Sequence, residues 1–166
     1  MTDTFDDIFR RLDQLIREGN IGLAASVVRK LRHGKIPRRH LVTVATFARR
    51  TNLPQQAVRL LSPVVRPSRK APAQATAAEK AEYAASLIRI GAVGEALKIL
   101  DDLDPALDPQ VFLFRAFGFV AEWNYDESIE PLGQYLSVKG LTSYQRLVAR
   151  VNLAAAHVHE RHVKEA

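Results

Sequence analysis

Four short stretches of this chain share one shape: a residue that ends a helix is followed five positions later by a small residue that opens an apolar run. They are GNIGLA at Gly19 to Ala24, NLPQQA at Asn52 to Ala57, GAVGEA at Gly91 to Ala96 and WNYDES at Trp123 to Ser128. The small residues Ala24, Ala57, Ala96 and Ser128 stand 33, 39 and 32 residues apart. RHVKEA at Arg161 to Ala166 has the same shape and predicts the turn of a fifth unit. A period of this size constrains the chain to a stack of helical hairpins, because one such unit cannot bury its apolar face without its neighbours.

Within each unit the apolar residues fall at helical spacing, in two stripes separated by the turn. Unit one has Ile8, Leu12 and Leu15, then Ala24, Val28 and Leu31; unit two has Leu41, Ala45 and Ala48, then Ala57, Leu61 and Val64. Unit three has Tyr83, Ala84, Leu87 and Ile88, then Ala96, Leu97, Leu100 and Leu103. Unit four has Phe112, Ala116 and Phe119, then Ile129, Leu132, Tyr135 and Leu136. The recurring small residue marks where two helix axes approach closely. No segment alternates apolar and polar residues over a useful length, so no β-structure is expected. Thr76 with Glu79 and Thr142 with Gln145 have capping-box spacing. Pro37, Pro54 and Pro109 suit first helical turns, with Asp108 a candidate cap. Pro63 and Pro131 fall inside second helices, where a lost amide donor is expected to kink or shorten them.

NYDESIE at Asn124 to Glu130 and IGAVGEAL at Ile90 to Leu97 are similar to the turn and second-helix start of the tetratricopeptide repeat, and with them nearly the whole chain resembles that family in imperfect form. The resemblance implies an all-α, right-handed superhelical solenoid of antiparallel helical hairpins in a single domain. Its units would run over 5–34, 37–65, 76–104 and 108–139, with a partial fifth at 142–166 and a linker-like segment, RPSRKAPAQA, at 66–75. In such arrays the first helices line a concave face. Carried over by position, this puts Arg17, Arg39, Arg49 and Arg50 at one end of the groove and Ile88, Leu113, Phe117 and Val120 at the other. The family's carboxylate clamp for chaperone tails does not carry over, because Phe9 and Asp13 stand where its first-unit Lys and Asn would be.

Charge narrows the partner. Residues 1–83 carry a net charge of +9 and residues 84–166 a net of −3, and no Asp or Glu occurs from Gly19 to Ala78. Arg29, Lys30, Arg32, Lys35, Arg38, Arg39, Arg49, Arg50, Arg59, Arg66, Arg69 and Lys70 lie in that acid-free window. A run of one sign points to an anionic partner. The reading is an adaptor that draws a partner polypeptide by Arg39, Arg49 and Arg50 and buries apolar anchors near Leu113, Phe117 and Val120. The alternative is nucleic acid, since ATFARRTNLPQQAVRLL at 45–61 resembles a helix-turn-helix with Gln55, Gln56 and Arg59 for the major groove.

Other classes are disfavoured. The chain has no cysteine, which removes disulfides, thiolate chemistry and cysteine-based zinc sites. His157, His159 and His162 scatter around a helix, and the acids Asp101, Asp102, Asp104 and Asp108 lack the glycine and terminal glutamate of a calcium loop. There is no phosphate-binding glycine loop or nucleophile elbow, so neither enzyme activity nor a cofactor or metal is expected. The acidic start MTDTFDDIF and the lack of a membrane-length apolar run point to a cytoplasmic protein with no membrane partner. Leu147, Val151, Leu153 and Ala154 would lack a covering helix, so self-association or a C-terminal continuation is expected at that open end.

Overall fold

The computed structural model describes residues 4–66 and 75–165, with side chains through residue 160. Most of the expected linker, including Arg69 and Lys70, lies outside the described residues. Among those described are nine α-helices and no strand: α1 (Phe5–Arg17), α2 (Ile21–Lys30), α3 (Leu41–Arg50), α4 (Pro54–Val65), α5 (Ala77–Arg89), α6 (Val93–Asp101), α7 (Gln110–Ala121), α8 (Tyr125–Ser137) and α9 (Ser143–Glu165). Consecutive helices pair as hairpins α1/α2, α3/α4, α5/α6 and α7/α8. Each hairpin is stitched to the next, α4 to α5, α6 to α7 and α8 to α9, while the first helices α3, α5 and α7 also pack in sequence. The result is an all-α solenoid of antiparallel helical hairpins.

The four turns are built alike. Gly19, Asn52, Gly91 and Trp123, the first residues of the four repeated stretches, all take left-handed φ values of 76°, 60°, 87° and 62°. In each, the amide after the left-handed residue donates to the carbonyl five residues back: Asn20 to Leu15 at 2.8 Å, Leu53 to Ala48 at 2.8 Å, Ala92 to Leu87 at 3.0 Å and Asn124 to Phe119 at 2.9 Å. The left-handed residue itself donates three residues back, which completes a Schellman motif and satisfies the orphan carbonyls at the helix end. Ala24, Ala57, Ala96 and Ser128 are all fully buried. The Ser128 hydroxyl donates to the Tyr125 carbonyl at 2.6 Å, so burying it leaves no unmet polar group.

Helix starts follow local signals too. Thr76 and Glu79 cap α5 reciprocally, Thr142 and Gln145 do the same for α9, and Thr4 with Asp7 forms a further box on α1. Pro54 occupies the first position of α4, and the Asp108 carboxylate accepts from the Gln110 amide at 3.0 Å where α7 begins. Pro63 and Pro131 both lie inside their helices: α4 ends two residues after Pro63, and α8 runs on for six residues past Pro131. One expectation fails. RHVKEA does not form a turn: α9 continues as one helix of 23 residues to Glu165. Arg161 has no preference for the left-handed region that the four real turns require, and nothing around it breaks a helix.

One apolar core runs continuously from α1 to α7, and a second, smaller one joins α7, α8 and α9 around Leu113, Ala116, Leu132, Tyr135 and Ala149. No described helix is long and apolar enough to cross a membrane.

Candidate binding groove

The first helices present one face to a shared groove. Arg49 and Arg50 of α3, Ala85, Ile88 and Arg89 of α5, Phe117, Val120 and Ala121 of α7 and Asn152 of α9 line a hollow of about 520 Å³, with Asn52 of the α3–α4 turn at its edge. A second hollow of about 370 Å³ continues from Arg49 and Arg50 past Leu113, Phe114 and Phe117 to Tyr144, Gln145 and Val148. A third, of about 710 Å³, lies between Asp13, Ile16 and Arg17 of α1, Arg50, and Thr142 to Tyr144 at the start of α9. The array therefore curls until α1 and α9 face one another across the groove. Arg50 borders all three hollows.

Of the residues expected in the groove, Arg50, Ile88, Phe117 and Val120 line the first hollow together, and Arg17 lies with Arg50 in the third. Arg49 is there as well, but its charge is matched. Its Nε and Nη2 donate to Glu82 of α5 at 2.6 and 3.0 Å, Thr46 donates to the same carboxylate at 2.9 Å, and the guanidinium sits 5.1 Å from the Phe114 ring centre. Arg49 is thus part of the groove wall and not an attracting cation. Leu113 is buried in the smaller core, so it is not a free anchor. Arg39 is absent from these hollows; it is exposed on the short 3₁₀ turn before α3, where its Nε donates to His40 Nε2 at 3.1 Å.

The acid-free window is partly neutralised from outside, at three arginines. Arg38 pairs with Glu79 at 3.1 Å, Arg49 with Glu82 and Arg66 with Glu95 at 2.6 Å, each acid lying beyond the window on α5 or α6. Arg50 reaches only Asp13, at 3.8 Å, and is half-buried at the groove surface. Arg89 is exposed and donates to the neutral Asn52 at 3.2 Å. The cationic pole of the groove is therefore Arg50 with Arg89. Arg89 lies outside the acid-free window and was not among the expected site residues; its helical register with Ile88 and Ala85 was the available signal.

The helix-turn-helix segment folds as the hairpin α3/α4. Within it Gln56, expected to face a DNA groove, instead donates to the Val28 carbonyl at 3.1 Å near the end of α2, while Gln55 and Arg59 are exposed. Elsewhere, Asp101 lies 3.4 Å from Arg115, and Asp104 and Asp108 accept backbone amides of their own loop. His159 stacks on Tyr125 at 4.0 Å, His157 lies 3.8 Å from Glu160, and the His162 side chain lies outside those described. Among the described residues no three His, Asp or Glu side chains converge as metal ligands.

No protein-family model matches the chain. No curated protein matches it in sequence. Among solved structures it is similar in chain trace to MamA 41-end from Desulfovibrio magneticus RS-1, at 17% identity and a TM-score of 0.49, over 99% of this chain and 96% of that one.

Proposed function

We propose that this protein is a non-enzymatic adaptor that holds an extended segment of a partner polypeptide in the groove between its first helices. The observation that carries the reading is the pairing, in one hollow, of the cationic pole Arg50 and Arg89 with an apolar wall of half-buried Ile88, Phe117 and Val120. A segment with an acidic residue followed by an aliphatic or aromatic one complements both ends. The cation sets encounter and register, and the apolar contact slows departure. Arg39 extends the positive field toward the start of the array, where a longer acidic segment would run past Arg17, itself paired with Asp13 at 2.5 Å. Its working place would be the cytoplasm.

A display library of short peptides selected on the intact protein tests this, followed by fluorescence polarisation of the winners against an Arg50→Glu/Arg89→Glu variant. Selected sequences rich in Asp or Glu beside apolar residues, with binding lost in the variant, support the adaptor. Winners without acidic residues, or binding indifferent to the variant, sink it.

Nucleic acid is the second reading, favoured by Arg29, Lys30, Arg32, Lys35 and Arg59, which are exposed and carry no ion pair among the described residues. A duplex that binds with a steep salt dependence, and is released by Arg29→Glu/Arg59→Glu, would promote it.

A further inference from the structure

The groove does not account for α9. This helix turns Ala149, Leu153 and Ala156 inward against α8 and the smaller core. On its opposite side Tyr144, Leu147, Val151, Ala154 and Val158 stand in the open, the four large ones 65%, 59%, 58% and 53% exposed. They make up half of the large hydrophobic residues exposed among the described part of the chain. Their spacing is three, four, three, four, the repeat that aligns one helix with another along a narrow seam. At 100° per residue the stripe covers about 80° of the helix circumference, narrower than the sector by which a helix faces a full core. Ala154 and the neighbouring exposed Ala155 leave room for a second helix axis to come close.

The borders of the seam carry one fixed charge, the exposed Arg150. Arg150 and His157 flank one edge and Asn152 and His159 the other. The one carboxylate among the described side chains of α9, Glu160, stands nine positions from Val151 and so on the far side of the helix by register. Two copies of this face would add a second Arg150 and no acid to the borders of the stripe, among the described side chains. A helix with glutamates beside its own apolar stripe would meet complementary charge.

We propose that the outer stripe of α9 is a docking seam for an acidic amphipathic helix of a partner polypeptide, which packs along α9 as the second helix of a hairpin does along its first. The stripe shares only Tyr144 with the groove hollows, which it meets again at its border residue Asn152, so it is a second interface beside the first.

The test uses a synthetic peptide of about three heptads with leucine at the seam positions and glutamate on the flanks, and a twin with lysine on the flanks. Binding to the intact protein is read by fluorescence anisotropy. The glutamate peptide is expected to bind at least about tenfold more tightly than its twin, a difference of about 1.4 kcal/mol. Val151→Glu is expected to remove that binding and Arg150→Glu to erase the preference. Both sites are exposed, so thermal unfolding should be unchanged, and Arg50→Glu should leave this binding intact. Equal binding of the two peptides, no saturable binding, or indifference to Val151→Glu overturns the proposal. A dimer in sedimentation that Val151→Glu dissociates would assign the seam to a second copy instead. Retention on phosphatidylserine vesicles that Val151→Glu removes, without peptide preference, would assign it to a membrane surface.

Discussion

Arg49 and Glu82, 33 residues apart in sequence, meet as a two-pronged ion pair between α3 and α5, with Glu82 only 4% exposed and Arg49 16%. The pair joins successive hairpins at the groove wall. Its two bonds and the third from Thr46 satisfy a carboxylate that burial would otherwise penalise.

Removing one partner strands the other. Glu82→Ala leaves the Arg49 guanidinium enclosed beside Phe114, and is expected to lower unfolding free energy in urea by about 3 kcal/mol. The double variant Arg49→Met/Glu82→Leu, which replaces both charges by apolar groups of similar bulk, is expected to recover most of that loss. A double variant as unstable as Glu82→Ala would show that the pair is not the cause.

Glu79 predicts an acid dependence. Burial pushes its carboxyl up, yet the bonds from Arg38 and from the Thr76 amide and hydroxyl outweigh burial and hold it below the ordinary value of 4.5. A group whose folded value is depressed contributes stability above its unfolded value, and that contribution is lost as pH falls through the folded value. Stability should therefore decline as pH drops below about 4.5. Glu79→Gln should flatten that decline, measured by urea unfolding between neutral and acid pH.

The left-handed turns make opposite predictions at two positions. A Cβ at Gly91 would meet nothing within 4 Å, so Gly91→Val costs conformation alone, about 1–2 kcal/mol in thermal unfolding. Trp123 already bears such a cost and is 78% exposed, so Trp123→Gly is expected to raise the melting temperature. A drop in melting temperature there would mean that the indole makes a stabilising contact larger than the backbone strain.

Gly118 of α7 marks the closest approach to α6. A Cβ there would fall 2.5 Å from Leu97 Cδ2, near the tip of a side chain that can move only partly aside. Gly118→Ala is expected to cost about 1 kcal/mol, and less in a Leu97→Val background; additive costs would show that the two do not couple.

Much of this was legible in the sequence because it is local. A residue tolerant of positive φ, or forced into it at Trp123, ends each first helix, and a small residue five positions on lets the second helix close against it. Both signals act within one hairpin, so a repeat of six residues reveals them. RHVKEA has the small residue without a residue that favours positive φ; WNYDES lacks one too but carries Asn124 next to Trp123, which leaves RHVKEA with the weakest turn signal of the five. The groove was legible in part, since first helices present alternate faces inward. Arg50, Ile88, Phe117 and Val120 could be placed by register alone, whereas Leu113 shares their face by register and is buried because residues of α8 and α9 pack over it.

The hairpins, their turns, their caps and the small residues at their crossings follow from local residues, since each depends on backbone preference and sterics among near neighbours. Where the charge goes depends on packing between hairpins. An acid-free stretch of 60 residues reads as a cationic surface until the inter-hairpin register brings Glu79, Glu82 and Glu95 against Arg38, Arg49 and Arg66. Coulomb attraction falls with distance in space and not with separation along the chain. Which arginine stays open to a partner is therefore set by how the helices stack, and that leaves the groove to Arg50 and Arg89.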